Sequence, residues 1–203
     1  MIQELRRRGY LASKRVEEAM LAVDRADFTP KNVDPYIDMP YPVGERQTIS
    51  APSVVAFMLD HLDVSNGMKV LEIGTGSGYN AALLSHLVGK TGHIISIEIH
   101  QSLCDFAEKN LEKYNLSNIE LICADGSKGY VEKEPYDRII VTAGMPYIEK
   151  HPLLSQLKYN GKLVAPVGDR FFQNLVLYDA NTKKYKNILP VMFVPLTGEF
   201  GFK

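Results

Sequence analysis

Short apolar runs alternate with longer amphipathic segments through the middle of this chain. The apolar runs are rich in valine and isoleucine, and they predict buried strands at Met68–Ile73, His93–Ile97, Ile119–Cys123, Tyr136–Val141 and Leu163–Val167. The segments between them predict two helices, ending near residues 88 and 114, and a short helical run around residues 153–157. Strands that alternate with helices in this way are typical of a parallel sheet with helices on both faces.

The two ends of the chain follow other patterns. Ser13 and Pro52 each stand at the start of an amphipathic segment, as expected for an N-cap and a first helical turn. Between these segments, residues 34–44 contain three prolines and predict a fixed loop. Near the C-terminus, Asn174–Asp179 and Asn187–Val194 predict two strands joined by a short polar turn, and hence an antiparallel edge of the sheet.

Length and pattern together predict a single α/β domain over residues 1–203. A chain of 203 residues is long enough to bury a sizeable core. Residues 1–50 are expected to form a helical segment and a loop. Residues 51–168 are expected to form a mostly parallel, doubly wound core, and residues 169–203 the antiparallel strands.

Composition and charge narrow the setting in which the protein works. A net charge of −1 gives no overall field that would draw the chain to nucleic acid or to an anionic membrane. The first residues lack the apolar stretch of a secretory signal, and no apolar run is long enough to span a bilayer, so we expect a cytoplasmic protein. Cys104 and Cys123 are expected to lie far apart, which fits a reducing compartment. We expect no metal site, because the histidines lack ligand spacing and are expected at the surface or at strand edges: His61, His86, His93, His100 and His151.

The segment VLEIGTGSGY, residues 70–79, predicts a ligand cradle. A buried strand leads into three glycines, Gly74, Gly76 and Gly78, and a helix begins near Tyr79. Glycines let the backbone approach a ligand closely, and the start of a helix offers unpaired N–H groups. Tyr79 stands where the dinucleotide fingerprint has its third glycine, which disfavours NAD and FAD. Glu72, inside the strand, would repel a pyrophosphate but suits the sulfonium and ammonium groups of S-adenosylmethionine. The alternative is an ordinary strand–helix turn of another α/β protein.

Two further acids follow the next strands. Glu98 ends the second strand, close to the spacing of about 20 residues expected for a carboxylate that binds ribose hydroxyls. Asp125 and Gly126 follow the third strand, where a carboxylate could accept a hydrogen bond from an adenine amino group. A solvated acid at position 98 and a turn-forming Asp-Gly pair are the alternatives. Because ligands of such sheets bind outside the carboxyl ends of the strands, Gly74, Glu98, Asp125 and Thr142 are expected to converge there.

Five segments give the chain a family resemblance. They are GERQTISAP (44–52), VLEIGTGSGY (70–79), ADGSKGY (124–130), LVAPVG (163–168) and FVPLTGE (193–199). Together they resemble protein-L-isoaspartate O-methyltransferases from about Tyr36 to the C-terminus. The resemblance implies a Rossmann-like class I methyltransferase fold, with S-adenosyl-L-methionine as methyl donor and S-adenosyl-L-homocysteine as product. The implied acceptor is the free α-carboxylate of L-isoaspartyl residues in damaged proteins and peptides, as in protein repair.

The resemblance also implies roles for individual residues. Ser50 matches the active-site serine of the family. With Glu72 from the strand, the implied cofactor-binding residues are Thr48, Ile49, Ser50, Gly74, Thr75, Gly76, Glu98, Ile99, Asp125, Gly126 and Thr197. The implied substrate-binding residues are Thr142, Ala143, Val167 and Gly168. The chain departs from the family pattern at Tyr41 and at the pair Glu45-Arg46, which are expected to border the substrate channel.

Methyl transfer to a carboxylate needs alignment more than it needs a base. The reference pKa of an α-carboxyl or aspartyl group is about 3.3–3.9, so the acceptor is ionised at neutral pH. Ser50 is therefore expected to orient one carboxylate oxygen, and the alternative is that it caps the helix at Pro52.

Two other functions stay open on the sequence. The first is a methyltransferase of the same fold that acts on RNA or a small metabolite, although a sustained basic stripe is lacking. The second is a catalytically silent module that binds S-adenosylmethionine or a partner protein. The expected partners are isoaspartyl peptides and proteins, with no nucleic acid and no membrane, and the expected state is a monomer.

Overall fold

A seven-stranded sheet forms the centre of the molecule, as described by a computed structural model that covers residues 1–203. Two short strands, β1 (Tyr41–Gly44) and β2 (Gln47–Ile49), form a separate antiparallel hairpin. The main sheet contains β3 (Lys69–Ile73), β4 (His93–Glu98), β5 (Ile119–Cys123), β6 (Tyr136–Val141), β7 (Leu157–Gly168), β8 (Gln173–Asp179) and β9 (Lys184–Val191). The helices are α1 (Ile2–Arg7), α2 (Lys14–Ala22), α3 (Pro52–Leu62), α4 (Tyr79–Val88) and α5 (Gln101–Glu112).

The order of strands across the sheet is β5-β4-β3-β6-β7-β8-β9. Strands β3 to β7 pair in parallel, whereas β8 and β9 run antiparallel to their neighbours. The chain runs outward from β3 to β5 and then returns to the other side of β3 to form β6. Such a reversal opens a crevice at the carboxyl ends of the central strands, where α/β proteins bind their ligands. The fold class predicted from the sequence is confirmed.

Alternating side chains divide the core between the two faces of the sheet. In β3, Val70 joins the larger apolar cluster, to which α1, α2, α3 and α4 contribute. Leu71 and Ile73 point to the opposite face and join a smaller cluster with Tyr136 and Leu153. Short 3₁₀ helices, including Pro152–Gln156, cover that second face. Both faces of the central strands are therefore buried, as their continuous apolar runs predict.

Most predicted elements are present, and the main differences concern β1, β7 and β9. Ser13 caps α2 by accepting a hydrogen bond from the Val16 N–H, and α3 begins at Pro52 as expected. Strand β7 begins six residues before the predicted Leu163, because residues 158–161 bulge out of the pairing with β6. Strand β9 ends at Val191 and not at 194, so the residues that follow are free to leave the sheet. Residues 41–44, expected in a loop, form β1, because they pair with β2 across a two-residue turn.

The two cysteines form a disulfide, contrary to the expectation that they lie far apart. Cys104 lies in the first turn of α5, and Cys123 ends β5. The parallel pairing of β4 with β5 sets Cys123 opposite Glu98, just before the turn that starts α5, and the two Cα atoms are 6.0 Å apart. Spacing along the sequence could not show this contact, because the crossover from β4 through α5 to β5 creates it. No helix combines the length and apolar character needed to cross a bilayer.

The disulfide is expected to stabilise the folded protein. It closes a loop of 19 residues, for which the chain-entropy model gives about 3 kcal/mol. The double variant Cys104→Ser/Cys123→Ser should therefore unfold at lower denaturant concentration than the oxidised wild type, measured by urea titration. A reductant should lower the wild-type midpoint and leave that of the variant unchanged. Two titratable thiols in oxidised wild-type protein would contradict this prediction.

Candidate active site

A cleft of about 880 Å³, including its open mouth, lies at the carboxyl ends of β3, β4 and β6. It brings together twelve of the residues that the sequence nominated. They are Thr48, Ile49, Ser50, Gly74, Thr75, Gly76, Glu98, Ile99, Gly126, Thr142, Ala143 and Thr197. Four nominated residues do not line the cleft: Glu72, Asp125, Val167 and Gly168. Each of these four contacts a segment that carries lining residues.

The glycine turn is fixed by the strand beside it. Gly74 has φ +95°, and a Cβ at this position would overlap the hydroxyl of Thr142. That hydroxyl donates to the carbonyls of Gly74 at 2.6 Å and Ile73 at 3.1 Å. Gly76 has φ +57° and nothing within 4 Å of an added Cβ, so its open side faces free space. The turn therefore offers backbone to the cleft without a side chain in the way.

Glu98 ties the glycine turn to the end of β4. Its Oε2 accepts a hydrogen bond from the Gly76 N–H at 3.0 Å. Its Oε1 accepts from the N–H groups of Ile99 at 2.9 Å and His100 at 3.1 Å. A carboxylate offers about four acceptor sites, so one site on Oε2 remains for a ligand hydroxyl. Glu98 is 6% exposed and lines the cleft, so a ligand can reach this remaining acceptor site only from the cleft.

Glu72 is a buried acid behind the cleft wall and not a lining residue. It is fully buried, and Ser96 Oγ donates to its Oε2 at 2.5 Å while Asn80 Nδ2 donates to its Oε1 at 2.7 Å. Thr75 Oγ1 lies 2.6 Å from Ser96 Oγ, which continues the chain of hydrogen bonds to the cleft. Burial raises the pKa of Glu72 to about 7, against the opposing effect of the hydrogen bonds from Ser96 and Asn80. Since Thr75 and Asn80 line the cleft, Glu72 orients two lining side chains through these hydrogen bonds.

The β1–β2 hairpin brings Ser50 to the cleft. Ser50 makes no hydrogen bond within the protein, and Ala51 is the N-cap of α3. The N–H of Ser53 is instead satisfied by Asp38 Oδ1 at 2.8 Å. The alternative reading of Ser50 as a helix cap is therefore wrong, because an acid from the preceding loop takes that place. The hydroxyl of Ser50 stays available to a ligand.

The residues that depart from the family pattern do not themselves line the cleft. Tyr41 is buried in the core, and its hydroxyl donates to the carbonyl of Asp34 at 2.8 Å. Glu45 forms the tip of the hairpin, where it accepts from Ser102 Oγ at 2.7 Å and lies 4.0 Å from His100 Nδ1. Tyr41, Glu45 and Arg46 do not line the cleft, although Gln47, next to Arg46, does, and their place along a substrate channel stays a prediction. Glu45 holds the hairpin against the start of α5.

Asp125 anchors the C-terminal wall of the cleft. Its Oδ2 accepts from the Glu199 N–H at 2.8 Å, and the neighbouring Ser127 Oγ accepts from the Phe200 N–H at 3.0 Å. On the other side of this wall, the Leu196 N–H donates to the carbonyl of Gly144 at 2.8 Å. Residues 194–197, which line the cleft, are thus held at both ends. Asp125 itself does not line the cleft, and its predicted contact with an adenine amino group stays a prediction.

Val167 and Gly168 support the loop that carries Thr142 and Ala143. The Met145 N–H donates to the carbonyl of Pro166 at 2.8 Å, and the Gly168 N–H donates to the carbonyl of Met145 at 3.0 Å. The end of β7 therefore fixes the loop from behind and does not reach the cleft itself.

Sequence reasoning missed several lining residues. They are Gln47, Val55, Met58, Ser77, Asn80, His100, Val194, Pro195 and Leu196. Val55 and Met58 show only a helical core pattern, and Val194 was expected inside a strand, so no local signal marks them. The position of Asn80 directly after the glycine turn could have suggested a ligand contact. The expectation that the histidines lie at the surface or at strand edges fails at His151, which is 1% exposed and packs against Tyr147 and Phe200. His100 agrees with it, since it follows the end of β4 with its side chain 32% exposed, and it also lines the cleft.

The buried Glu72 should make the stability of the protein depend on pH. Its pKa is about 7 when folded and near 4.5 when unfolded, so folding favours the protonated form. Its contribution to stability is complete below pH 4.5 and is lost as the pH rises through 7. Relative to Glu72→Gln, the wild type should lose roughly 2–3 kcal/mol of unfolding free energy between about pH 5 and 8 in urea titrations. Parallel pH profiles of the two proteins would contradict the assignment.

The sequence matches known proteins over its whole length. The family model for protein-L-isoaspartate (D-aspartate) O-methyltransferase matches residues 1–201. A protein-L-isoaspartate O-methyltransferase of Methanothermobacter thermautotrophicus is 46% identical and covers 100% of this chain and 96% of its own. One from Staphylothermus marinus is 48% identical and covers 100% and 95%.

Solved structures show the same fold. A protein-L-isoaspartate O-methyltransferase superposes with a TM-score of 0.86 at 31% identity, covering 98% of this chain and 66% of its own. A Plasmodium falciparum protein assigned to the same class, solved with S-adenosyl-L-homocysteine, superposes with a TM-score of 0.86 at 27% identity, covering 97% and 96%. With its glycine turn, Glu98 and Ser50 around one cleft, the chain belongs to the protein-L-isoaspartate (D-aspartate) O-methyltransferase family.

Proposed function

We propose that this protein transfers a methyl group from S-adenosyl-L-methionine to the α-carboxylate of L-isoaspartyl residues in damaged proteins and peptides. The observation that carries the proposal is the hydroxyl of Ser50, which faces the cleft beside the glycine turn and has no hydrogen-bond partner in the protein. Family membership over residues 1–201 supports the same activity.

The residues present fit the cofactor. The open side of Gly76 leaves room for a chain to lie against the backbone, and the unused acceptor site of Glu98 suits a ribose hydroxyl. Ile99 and Gly126 give one wall of the cleft an apolar, side-chain-poor surface that suits an adenine ring. We infer that Thr48, Ile49 and Thr197 close the methionine end, where cofactor and acceptor would meet.

The chemistry required of the protein is alignment and exclusion of water. When bound, the cofactor supplies a methyl group that is already activated by its sulfonium charge. The acceptor carboxylate is ionised at neutral pH, so no side chain has to remove a proton. Ser50 donates a hydrogen bond to one carboxylate oxygen, which leaves the other oxygen directed at the methyl carbon. Alignment of this kind contributes about 7–11 kcal/mol in well-oriented systems.

The cleft walls assist this alignment. Val194, Pro195 and Leu196 present apolar surface to the cleft and keep water from the acceptor. Thr142 and Ala143 lie beside them, because the next residue, Gly144, pairs with Pro195, and Val167 pairs with Met145 behind this loop. We infer that this continuous wall holds the substrate backbone next to the reacting carboxylate.

We propose that residues 1–203 form one domain and that the protein acts as a monomer. Its substrates are isoaspartyl polypeptides and not nucleic acid. The residues that line the cleft range from Gln47 to Thr197, so most of the chain is needed to form it. We also propose a cytoplasmic location. Disulfides are uncommon in reducing compartments, so the Cys104–Cys123 disulfide is an exception that this location requires.

A peptide methylation assay tests the function. Matched peptides that contain isoaspartyl, aspartyl or no acidic residue are offered with radiolabelled S-adenosylmethionine, together with transfer RNA. Base-labile label on the isoaspartyl peptide alone supports the proposal. Label on RNA alone, or cofactor binding with no transfer to any acceptor, would replace it with one of the two alternative functions.

Ser50→Ala should reduce turnover without weakening the binding of the cofactor. Loss of one positioned hydrogen bond to a charged oxygen is expected to lower kcat roughly ten- to a hundredfold. Affinity for S-adenosylhomocysteine, measured by calorimetry, should stay within about twofold because Glu98 and the glycine turn are unchanged. Ser155→Ala is the matched control, since its hydroxyl donates to Pro152 outside the cleft. Wild-type turnover in Ser50→Ala would remove the serine from the mechanism.

Glu98→Gln should weaken S-adenosylhomocysteine binding. The amide removes the charge and cannot offer acceptor sites on both terminal atoms, so either Gly76 or the ligand loses its partner. We expect a loss of affinity of roughly ten- to a hundredfold by calorimetry. Glu120→Gln, on the neighbouring strand and outside the cleft, serves as control. Equal affinity in Glu98→Gln and wild type would refute the ribose assignment.

A further inference from the structure

Three large apolar side chains stand exposed at the cleft end of the sheet. Phe171 is 83% exposed, Phe172 59% and Met192 78%. The two phenylalanines belong to the turn between β7 and β8, and Met192 directly follows β9. Since β7 ends, β8 begins and β9 ends at the carboxyl edge of the parallel strands, all three lie at the edge that carries the cleft. We call these three residues the apolar rim.

The turn that carries the two phenylalanines is built to hold them in place. Asp169 Oδ1 accepts from the N–H groups of Phe171 and Phe172, both at 2.7 Å. The Asp169 N–H donates back to the carbonyl of Phe172 at 3.0 Å. A hydrogen-bonded turn therefore holds the backbone of both phenylalanines in place, and their two adjacent rings are exposed on an ordered turn.

The rim is joined to the cleft wall by short, fixed connections. Gln173, which follows Phe172, is fully buried, and it accepts from the Phe193 N–H at 2.8 Å and donates to the Phe193 carbonyl at 3.4 Å. Met192 directly follows Val191, which pairs with Gln173, and the cleft-lining Val194 is only two residues further on. In an extended chain two residues span about 7 Å. The rim thus lies beside the cleft wall, since the side chain of Gln173 also packs against Gly144, which follows the lining residue Ala143.

We propose that the apolar rim binds apolar side chains of the substrate polypeptide that flank the isoaspartyl residue, so that the protein prefers damaged segments rich in aliphatic residues. This inference rests on the proposed function, because a modified residue inside a polypeptide has chain on both sides that must leave the cleft across its edge. An extended substrate chain that leaves the cleft past Val194 carries its flanking side chains toward the rim, at about 3.3 Å per residue. Aliphatic side chains are normally buried in folded proteins, so the preference selects unfolded or locally opened segments.

The test compares three short isoaspartyl peptides on one polar scaffold. One carries two leucines on the amino side of the isoaspartyl residue, one carries them on the carboxyl side, and one carries serines on both sides. The wild type should methylate one of the leucine peptides with a kcat/KM roughly tenfold above the serine peptide, mainly through KM. Phe171→Ser/Phe172→Ser should lose this advantage, while the serine peptide and the S-adenosylhomocysteine affinity stay at wild-type values.

Tyr159→Ser is the matched control for loss of an exposed aromatic ring. Tyr159 is 75% exposed but lies near the amino end of β7, at the edge opposite the cleft. This variant should keep the full advantage of the leucine peptide. Circular dichroism and light scattering confirm that each variant is folded and report its mass.

The outcomes separate this inference from the proposed function. If the serine peptide is methylated but the leucine peptides gain nothing, or if their advantage survives in Phe171→Ser/Phe172→Ser, the rim proposal is overturned while the function stands. A wild-type dimer that the double substitution converts to a monomer would also overturn it, because the rim would then bind a second copy. If no isoaspartyl peptide is methylated, the proposed function fails and the rim proposal with it.

Discussion

The register of three parallel strands is the constraint on which the candidate site depends. Ile73 in β3 pairs with Ile97 in β4 and with Val141 in β6, so the residues that follow meet at one level. Thr142 can then hold Gly74 through its hydroxyl, and Glu98 can accept from Gly76. Backbone pairing fixes these contacts before any ligand binds. A preorganised site of this kind avoids the cost of ordering loops when the ligand arrives.

Much of the fold could be predicted because its signals are local. The apolar runs at Ile119–Cys123 and Tyr136–Val141 coincide with strands, and the caps at Ser13 and Pro52 start helices where expected. A short motif also carried much of the site, because the turn at residues 74–76 needs glycine for its backbone conformation. Where the local chain dictates its own geometry, sequence reasoning is reliable.

The remaining features depend on contacts between distant segments, which the local pattern does not encode. The Cys104–Cys123 disulfide follows from the β4–α5–β5 crossover, and Asp38 replaces Ser50 as the partner of the α3 N-terminus only because the preceding loop folds back. The sequence predicts that Glu72 contacts a ligand. In the structure, the alternation of side chains along β3 buries Glu72 beneath the cleft-lining Asn80. The same reasoning applies to Asp125, whose carboxylate serves the C-terminal segment.

The dependence of the cleft on residues 194–200 means that one of its walls is fixed by few contacts. The glycine turn and Glu98 follow directly from the parallel strands, whereas the segment that carries residues 194–197 is fastened through Asp125 and Ser127, which accept from the N–H groups of Glu199 and Phe200. Loss of these two hydrogen bonds would loosen that segment and leave the register of the strands intact.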